Sequence, residues 1–404
     1  MGKRVLIVGA GASGMTAAIF AAREGASVTL LEHRDRAGKK ILSTGNGRCN
    51  LTNLNQTEED YRCGRAGFVK EVLGQFSVQD TLAFFRSLGI VTKNRNGYVY
   101  PNSDQAASVL EALLAELERL SVKVQYQCAI SRIEKEKGLF FVTSGKDVFK
   151  GEALILAAGS KAAPVTGSDG SGYELAASLG HRIITPLPAL VQLRCREKHY
   201  KRLAGVRSDG ELKLYVNGTC AASDVGEIQL TDYGISGIPT FQVSRYASVA
   251  LHRRQKVTAV INFLPAVSRD EAWDMMTERF KLMEERSCRQ FMNGLLNSKL
   301  SGVLLELSGV SEKQPVKSLS AGQKKRLFEM ITAYETEITA ANSFEHAQVC
   351  CGGVDVKQVA GRTLESKLVK GLYFCGEILD VDGKCGGFNL QWAWGSGAVA
   401  GRCK

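Results

Sequence analysis

Val5-Leu6-Ile7-Val8-Gly9-Ala10-Gly11-Ala12-Ser13-Gly14 is the stretch whose reading decides the fold. Four apolar residues in a row read as a buried parallel strand. The glycine pattern that follows opens an alanine-rich segment, residues 13–24, that reads as a helix, and Gly25 takes the position just past its end. Residues 26–31 supply a second strand, with Glu32 at its end and His33 after it. Gly9 permits the tight turn, Gly11 lets a pyrophosphate approach the backbone, and Gly14 lets the helix pack closely on the strand. The helix start offers free N–H groups and partial positive charge to phosphate. An acid at position 32 accepts from the adenosine ribose hydroxyls and disfavours a 2′-phosphate. A G-x-G-x-x-G pattern is weak by itself; set between strand and helix and followed by that acid, it predicts an α/β, Rossmann-type dinucleotide site.

Outward from this motif, the 404 residues are 44% hydrophobic and 23% charged, an ordinary globular composition. That length exceeds one core, so two or three domains are expected. No apolar run reaches the roughly 18 residues of a spanning helix. The start of the chain runs directly into the first strand, without room for a cleavable signal, so a cytoplasmic protein without a membrane partner is expected. Eleven cysteines are scattered without a C-x-x-C, and the five histidines do not cluster with them. Reduced thiols and no metal site are expected. The net charge of +11 admits nucleic acid, an anionic membrane or anionic small ligands. Its basic residues come in dispersed short pairs such as Lys39-Lys40 and Arg253-Arg254, without the aromatic interleaving that reads bases. A solvated basic surface is therefore the simpler expectation, with a small-molecule substrate and no nucleic acid. Oligomeric state is left open.

Residues 36–55 lack periodicity and read as a long loop, a feature that is usually functional. Helices are predicted over 68–88 and 105–120, the second with Asn102 and Ser103 as cap candidates. Strands are predicted over 123–127, 140–143 and 152–159, the last closing on Ala157-Ala158-Gly159. From about 190 the character changes: 191–193, 211–216, 227–230 and 257–262 read as strands of a sheet or small barrel, and 269–283 and 321–332 as helices. A buried strand at 371–375 and a small-residue helix at 395–400 then resume the opening style. The expected division is a first part of the dinucleotide-binding domain at 1–190, a β-barrel-like insert at 191–265, a helical part at 266–343, and the rest of the dinucleotide-binding domain at 344–404.

FAD rather than NAD is indicated by the late segment. The strand ending Cys375-Gly376-Glu377 is followed by Asp380-Val381-Asp382 and by a helix start at Gly386-Gly387-Phe388-Asn389-Leu390. A long cofactor needs its flavin end closed by a returning segment, and a helix N-terminus there stabilises the negative charge that reduction places on the flavin. The loop 38–50, with its cations and amides, suits an extended phosphate–ribityl chain. Cys49 has no resolving cysteine nearby, so a redox role for it is not expected.

The phrases Lys40-Ile41-Leu42-Ser43-Thr44-Gly45-Asn46-Gly47-Arg48-Cys49-Asn50-Leu51-Thr52-Asn53, Gly376-Glu377-Ile378-Leu379-Asp380-Val381-Asp382-Gly383 and Gly386-Gly387-Phe388-Asn389-Leu390-Gln391-Trp392-Ala393-Trp394 resemble the bacterial BaiN-like flavoproteins, also called aminoacetone-oxidase-like. The resemblance spans essentially the whole chain. It implies an FAD domain of the two-dinucleotide-binding, glutathione-reductase-like type made from both chain ends, with barrel-like and helical inserts. It also implies that FAD lies along Gly9, Gly11, Ala12, Ser13, Gly14, Glu32, His33, Lys40, Thr44, Gly45, Gly47, Arg48, Cys49, Asn50 and Ala129. The remaining candidates are Ala157, Ala158, Gly159, Gly376, Glu377, Asp382, Gly386, Gly387, Phe388, Asn389 and Leu390. One departure is Ala158, where related flavoproteins carry threonine and hence a hydroxyl.

No second strand–G-x-G-x-x-G–helix unit occurs, and Gly167-Ser168-Asp169-Gly170-Ser171-Gly172 lacks a preceding strand, so it reads as a loop. NADH or NADPH would therefore visit the flavin directly and alternate with substrate in one cavity. The leading expectation is NAD(P)H-fed reduction of an activated C=C bond in a steroid- or bile-acid-like enone. Alternatives are an oxygen-using amine oxidase releasing peroxide and, from another class, an RNA-associated flavoprotein. No catalytic acid is legible; Arg48, Tyr98, Arg194 and Tyr233 sit in suggestive segments but read as structural.

Overall fold

The computed structural model describes residues 2–402. The chain forms two compact units, one built from residues up to 187 and from 348 onward, the other from 188 to 347. In the first unit five parallel strands lie in the order Leu372–Phe374, Ala153–Leu156, Arg4–Val8, Ser27–Leu31, Lys123–Gln125. Every residue of Ala153–Leu156 is buried, which is why these strands are continuous apolar runs rather than alternating ones. The late strand Leu372–Phe374 pairs with Ala153–Leu156, so both chain ends share one sheet. This is a Rossmann-type α/β fold.

Helix Ala12–Arg23 covers the sheet and packs on the final helix, Phe388–Gly401, through small residues. A Cβ on Gly397 would lie 2.5 Å from the Ser13 carbonyl oxygen, and one on Gly401 2.5 Å from that of Ala17. The small-residue run at 395–400 therefore encodes backbone contact between helices. Around the sheet sit a three-stranded meander (Arg132–Glu136, Leu139–Ser144, Asp147–Gly151) and two small antiparallel ladders.

Several sequence expectations need correction here. The stretch 36–55 holds a short helix, Lys39–Ser43, a 3-10 turn, Thr44–Gly47, and a short strand, Thr52–Asn53. The expected helix 68–88 is two, Phe68–Leu73 and Val78–Ser87. Ser77 starts the second: its hydroxyl accepts from the Asp80 N–H at 3.2 Å, and the Asp80 carboxylate accepts from the Ser77 N–H at 2.8 Å. That capping box outweighs the continuous apolar period. Neither Asn102 nor Ser103 is the N-cap of Ala106–Arg119; Gln105 is, without a side-chain bond. The strand expected at 191–193 lies at Leu193–Cys195.

The second unit is a closed six-stranded barrel, ordered Leu193–Cys195, Gly234–Gly237, Thr219–Leu230, Arg207–Val216, Val257–Asn262, Tyr334–Ala341. Helix Ile238–His252 packs on it, and helices Arg269–Leu282, Ser298–Leu307 and Ala321–Thr332 are inserted before its last strand. Barrel residues such as Leu212 and Ile261 and helix residues such as Met276 and Leu304 join in a single apolar core.

Candidate functional site

The three glycines of the opening motif differ in what surrounds them. Gly9 has φ 102°, and a Cβ there would lie 2.5 Å from the Ala157 carbonyl oxygen. A Cβ on Gly14 would lie 1.8 Å from the Gly9 carbonyl oxygen. Around Gly11, by contrast, nothing lies within 4 Å of that position. Gly11 is the N-cap of Ala12–Arg23 and supplies no side-chain acceptor. The first-turn N–H groups of Ala12, Ser13 and Gly14 thus lie at an open, side-chain-free helix start, the geometry that receives phosphate.

Glu32 marks the other end of this cradle. Only 7% exposed, it accepts from the Ala10 N–H at 2.9 Å and the Arg34 N–H at 2.8 Å, with His33 Nδ1 at 3.2 Å. Burial pushes its pKa up, but hydrogen bonds from His33, Arg34 and Ala10 more than offset this and hold it below the ordinary value. The carboxylate is ionised, with lone pairs left for ribose hydroxyls. The Glu32 hydrogen bond raises the His33 pKa despite burial. Ala129 is exposed beside this end, where Cys128 N–H donates to the Glu32 carbonyl at 2.8 Å. Sequence reasoning missed the segment 164–169: Arg34 donates to the Pro164 carbonyl at 3.1 Å, and His33 Nε2 lies 3.8 Å from Asp169. No local motif signals that contact, because the partners are about 130 residues apart.

In the 38–50 loop, Lys40 Nζ pairs with the Glu377 carboxylate at 2.6 Å, and Ser160 donates to the same oxygen at 3.0 Å. Thr44 donates to the Ile41 carbonyl at 2.6 Å, and Arg48 to that of Gly45 at 3.3 Å. The Arg48 guanidinium also lies 5.7 Å from the Tyr100 ring centre. Gly45 and Gly47 take positive φ, and at Gly45 and Asn46 the backbone leaves helical geometry inside the short 3-10 turn. Cys49 is fully buried, and burial pushes its thiol up to about 12. It stays protonated and unreactive. Asn50 donates its amide to the Thr52 and Val99 carbonyls at 3.0 and 3.1 Å and accepts from the Gly387 N–H at 3.2 Å.

The returning segment is fastened to both. A Cβ on Gly376 would strike Ser13 Oγ at 2.3 Å, and the Gly376 N–H donates to Ser396 Oγ at 2.9 Å. Trp392 Nε1 donates to the Gly376 carbonyl at 3.0 Å, and Trp394 Nε1 to that of Leu51 at 2.9 Å. Gly387, with φ 94°, caps Phe388–Gly401 so closely under Thr52 that a Cβ would sit 2.6 Å from its carbonyl. Gly386 leaves room for the Tyr98 ring, 2.4 Å from where its Cβ would be. Asn389 turns to its own loop, bonding both the N–H and the carbonyl of Gly383. Phe388 and Asp382 are buried and Leu390 is half-buried. Ala157 is buried, while Ala158 and Gly159 follow it, half-buried, at the strand end. Another residue missed from sequence is Gln391. It is 1% exposed, accepts from Thr52 and Thr81 at 2.7 and 2.8 Å, and donates to the Phe76 carbonyl.

Two uncapped helix starts, one open glycine and one ionised carboxylate at the far end of the first strand pair make a donor and acceptor set that fits an extended dinucleotide. Among the described residues, no helix is long and apolar enough to cross a membrane.

Comparison with known proteins agrees. The model of the HI0933-like protein Rossmann domain matches residues 3–403. A 3-dehydro-bile acid delta(4,6)-reductase from Clostridium scindens is 42% identical over 401 residues, covering 99% of this chain and 98% of that protein. A ribosomal RNA dihydrouridine synthase from Haemophilus influenzae is 30% identical, covering 97% and 96%. The protein of that name from Escherichia coli is 27% identical, covering 97% and 95%. Matched along nearly its whole length, the chain belongs to the HI0933-like Rossmann family.

Proposed function

We propose that this protein is an FAD-dependent reductase of carbon–carbon double bonds conjugated to a carbonyl, fed by NADH or NADPH. The observation that carries the reading is the 42% full-length identity to a bile-acid delta(4,6)-reductase, on a chain whose cradle fits a dinucleotide. FAD, when bound, supplies the hydride to the acceptor. The chain's share is binding and electrostatics. The helix start at Ala12 to Gly14 receives the pyrophosphate over the open face of Gly11, and Glu32 accepts from the ribose. The start of Phe388–Gly401 offers partial positive charge to the flavin's carbonyl edge. The Lys40–Glu377–Ser160 group and Trp392 hold the strand end around Gly376 in place.

A second reading has its own support: two full-length relatives named ribosomal RNA dihydrouridine synthase, and a net charge of +11. A uracil ring also carries a C=C bond conjugated to a carbonyl, so the chemistry is the same and only the acceptor differs.

The test is anaerobic. FAD-loaded protein is mixed with NADH or NADPH to bleach the flavin, then with androst-4-en-3-one or with ribosomal RNA lacking dihydrouridine. Return of colour with the steroid supports the small-molecule acceptor; return with RNA supports the second. No recovery with either, or no bleaching by either nucleotide, refutes the NAD(P)H-fed reductase.

A further inference from the structure

The antiparallel strands Thr92–Arg95 and Tyr98–Pro101 carry a charged and aromatic face that the cofactor cradle leaves unexplained. Along the second strand Val99 and Pro101 are buried, and Tyr98 and Tyr100 lie half-buried on the other side. Register sets Arg95 opposite Tyr98 and Lys93 opposite Tyr100, so two cations and two rings share that side. Along the chain the cations simply precede the tyrosines. Pairing sets them side by side, so the interleaving of basic and aromatic groups that the sequence lacks is made by the fold. The loop before the third strand of this sheet adds Arg48: its guanidinium carbon and that of Arg95 each lie 5.7 Å from the Tyr100 ring centre. At the other end of the face, the Tyr98 ring fills the room left by Gly386, whose carbonyl accepts from Asn53 at 3.0 Å.

The charges here do not balance. Asp104 is shared by Lys93 Nζ at 2.5 Å and Arg95 Nη2 at 2.8 Å. Arg48 pairs with no carboxylate among the described residues; its Nε donates to the Gly45 carbonyl at 3.3 Å, and its other N–H groups are left for an outside acceptor. Three cations stand against one carboxylate, and two of them crowd one ring. Like charges held this close repel, and an anion seated among them relieves the repulsion while taking the unspent guanidinium donors. A lone anion needs nothing more than those cations. Aromatic rings set between cations on one sheet face add a surface on which flat, unpaired bases stack, with the phosphates that join them falling on the cations.

We propose that this face binds single-stranded nucleic acid, its bases against Tyr98 and Tyr100 and its phosphates on Arg48, Lys93 and Arg95. A duplex keeps its bases stacked on one another and offers the face only phosphates. Every residue of the face belongs to the one compact unit. The inference goes beyond the reductase reading, because it concerns a binding surface and holds whether or not the bound strand is reduced.

The probe is a fluorescein-labelled oligouridylate of about 12 nucleotides, within the span such faces cover. FAD-loaded protein is titrated into it at several salt concentrations and followed by anisotropy, with a duplex RNA of the same length for comparison. Wild type should bind the single strand more tightly than the duplex. Arg95→Gln removes one phosphate contact, so it should weaken binding roughly 5-fold and make the logarithmic salt slope shallower by about 0.7. Tyr100→Leu should weaken single-strand binding roughly 5- to 100-fold at unchanged slope, while Tyr100→Phe keeps a ring and should bind as wild type does. Arg253→Gln removes the same charge from an exposed position of the other unit and should change neither affinity nor slope. No binding by wild type, or a duplex bound as tightly as the single strand, overturns the proposal. Equal losses in Arg253→Gln and Arg95→Gln also overturn it, by showing general attraction to a basic protein. So does wild-type binding by both Arg95→Gln and Tyr100→Leu. Should Tyr100→Leu fail to fold, the Arg95→Gln slope decides, since that side chain is 47% exposed. Binding by wild type without reoxidation by ribosomal RNA rules out RNA as the acceptor and leaves the binding face standing.

Discussion

Adding the same methyl group at two glycines three residues apart should have opposite consequences. At Gly14 the new Cβ would lie 1.8 Å from the Gly9 carbonyl oxygen, against roughly 3.5 Å for a comfortable contact. Helix Ala12–Arg23 must then retreat by more than an ångström from a turn fixed by the Gly9 N–H bond to Leu31. Such overpacking costs about 1–3 kcal/mol or more, and alanine's better helix propensity returns about 1 kcal/mol. A net loss of about 2 kcal/mol corresponds to a melting temperature roughly 4–8 °C lower for a unit of this size. At Gly11 the backbone is already extended, with φ −81° and ψ −169°, and no atom lies within 4 Å. Gly11→Ala should leave apo stability within about 1 kcal/mol of wild type. Its methyl would instead occupy the open space at the helix start that the proposed reading gives to the pyrophosphate. Losing one charge-assisted hydrogen bond there is worth about 1.5–3 kcal/mol, or roughly 10- to 100-fold in FAD affinity. Apo protein is melted, then titrated with FAD by quenching of flavin fluorescence. Equal melting of Gly14→Ala and wild type, or undiminished FAD affinity in Gly11→Ala, would refute this division of roles.

Glu116 bridges the helices Ala12–Arg23 and Ala106–Arg119 through Arg23, at 2.6 Å, and Arg119. Hydrogen bonds from Arg119 and Arg23 outweigh burial and bring its pKa from 4.5 to about 2. A depressed acid stabilises the fold above its unfolded pKa and loses that contribution as pH falls through the folded one. Glu116→Gln should therefore cost about 1–3 kcal/mol at neutral pH and nothing near pH 2, as urea unfolding at both pH values would reveal. Cys49 should resist a thiol reagent in the native protein while exposed Cys220 reacts, with mass spectrometry of labelled peptides as the check. Early labelling of Cys49 would contradict the burial described. Trp392→Phe removes the donor to the Gly376 carbonyl; it should lower stability by about 1–3 kcal/mol and weaken FAD binding, measured by melting and by retained flavin.

The strand–glycine–helix opening was legible because each part obeys a local rule: an apolar strand, an N-cap glycine without a Cβ, and Gly25 just past the helix end at φ 85°. The helix Ala321–Thr332 was legible for the same reason, since its period and its Ser320 capping box agree. Where two local signals conflict, sequence reading chose wrongly. The apolar period across 68–88 concealed the Ser77–Asp80 box that divides it. The meander strands Arg132–Glu136 and Asp147–Gly151 were missed because charged residues interrupt any apolar alternation in them, and they pair only with the central strand Leu139–Ser144. In the cradle, residue types were legible but partners were not. That Lys40 answers to Glu377 depends on residues 337 apart, and nothing beside Gln391 in sequence announces that Thr52, Thr81 and Phe76 bond its amide. Such contacts follow from the fold, so no local spacing encodes them.

Relatives named for a bile acid and for ribosomal RNA share this chain's full length, and the proposed chemistry explains how one scaffold can serve both. A 3-ketone conjugated to ring double bonds and a uracil ring each place the hydride-accepting carbon β to a carbonyl. Both gather negative charge on that oxygen as the bond is reduced, so both ask the protein for the same cofactor cradle. The cradle depends on backbone geometry at Gly9, Gly11, Gly14, Gly376 and Gly387, which is indifferent to the acceptor. Discrimination must then come from groups that contact the rest of the substrate: apolar surface for a steroid skeleton, cations for a phosphate backbone. Divergence of substrate in such a family requires changes only in those outlying contacts, while the proposed cofactor cradle can stay as it is.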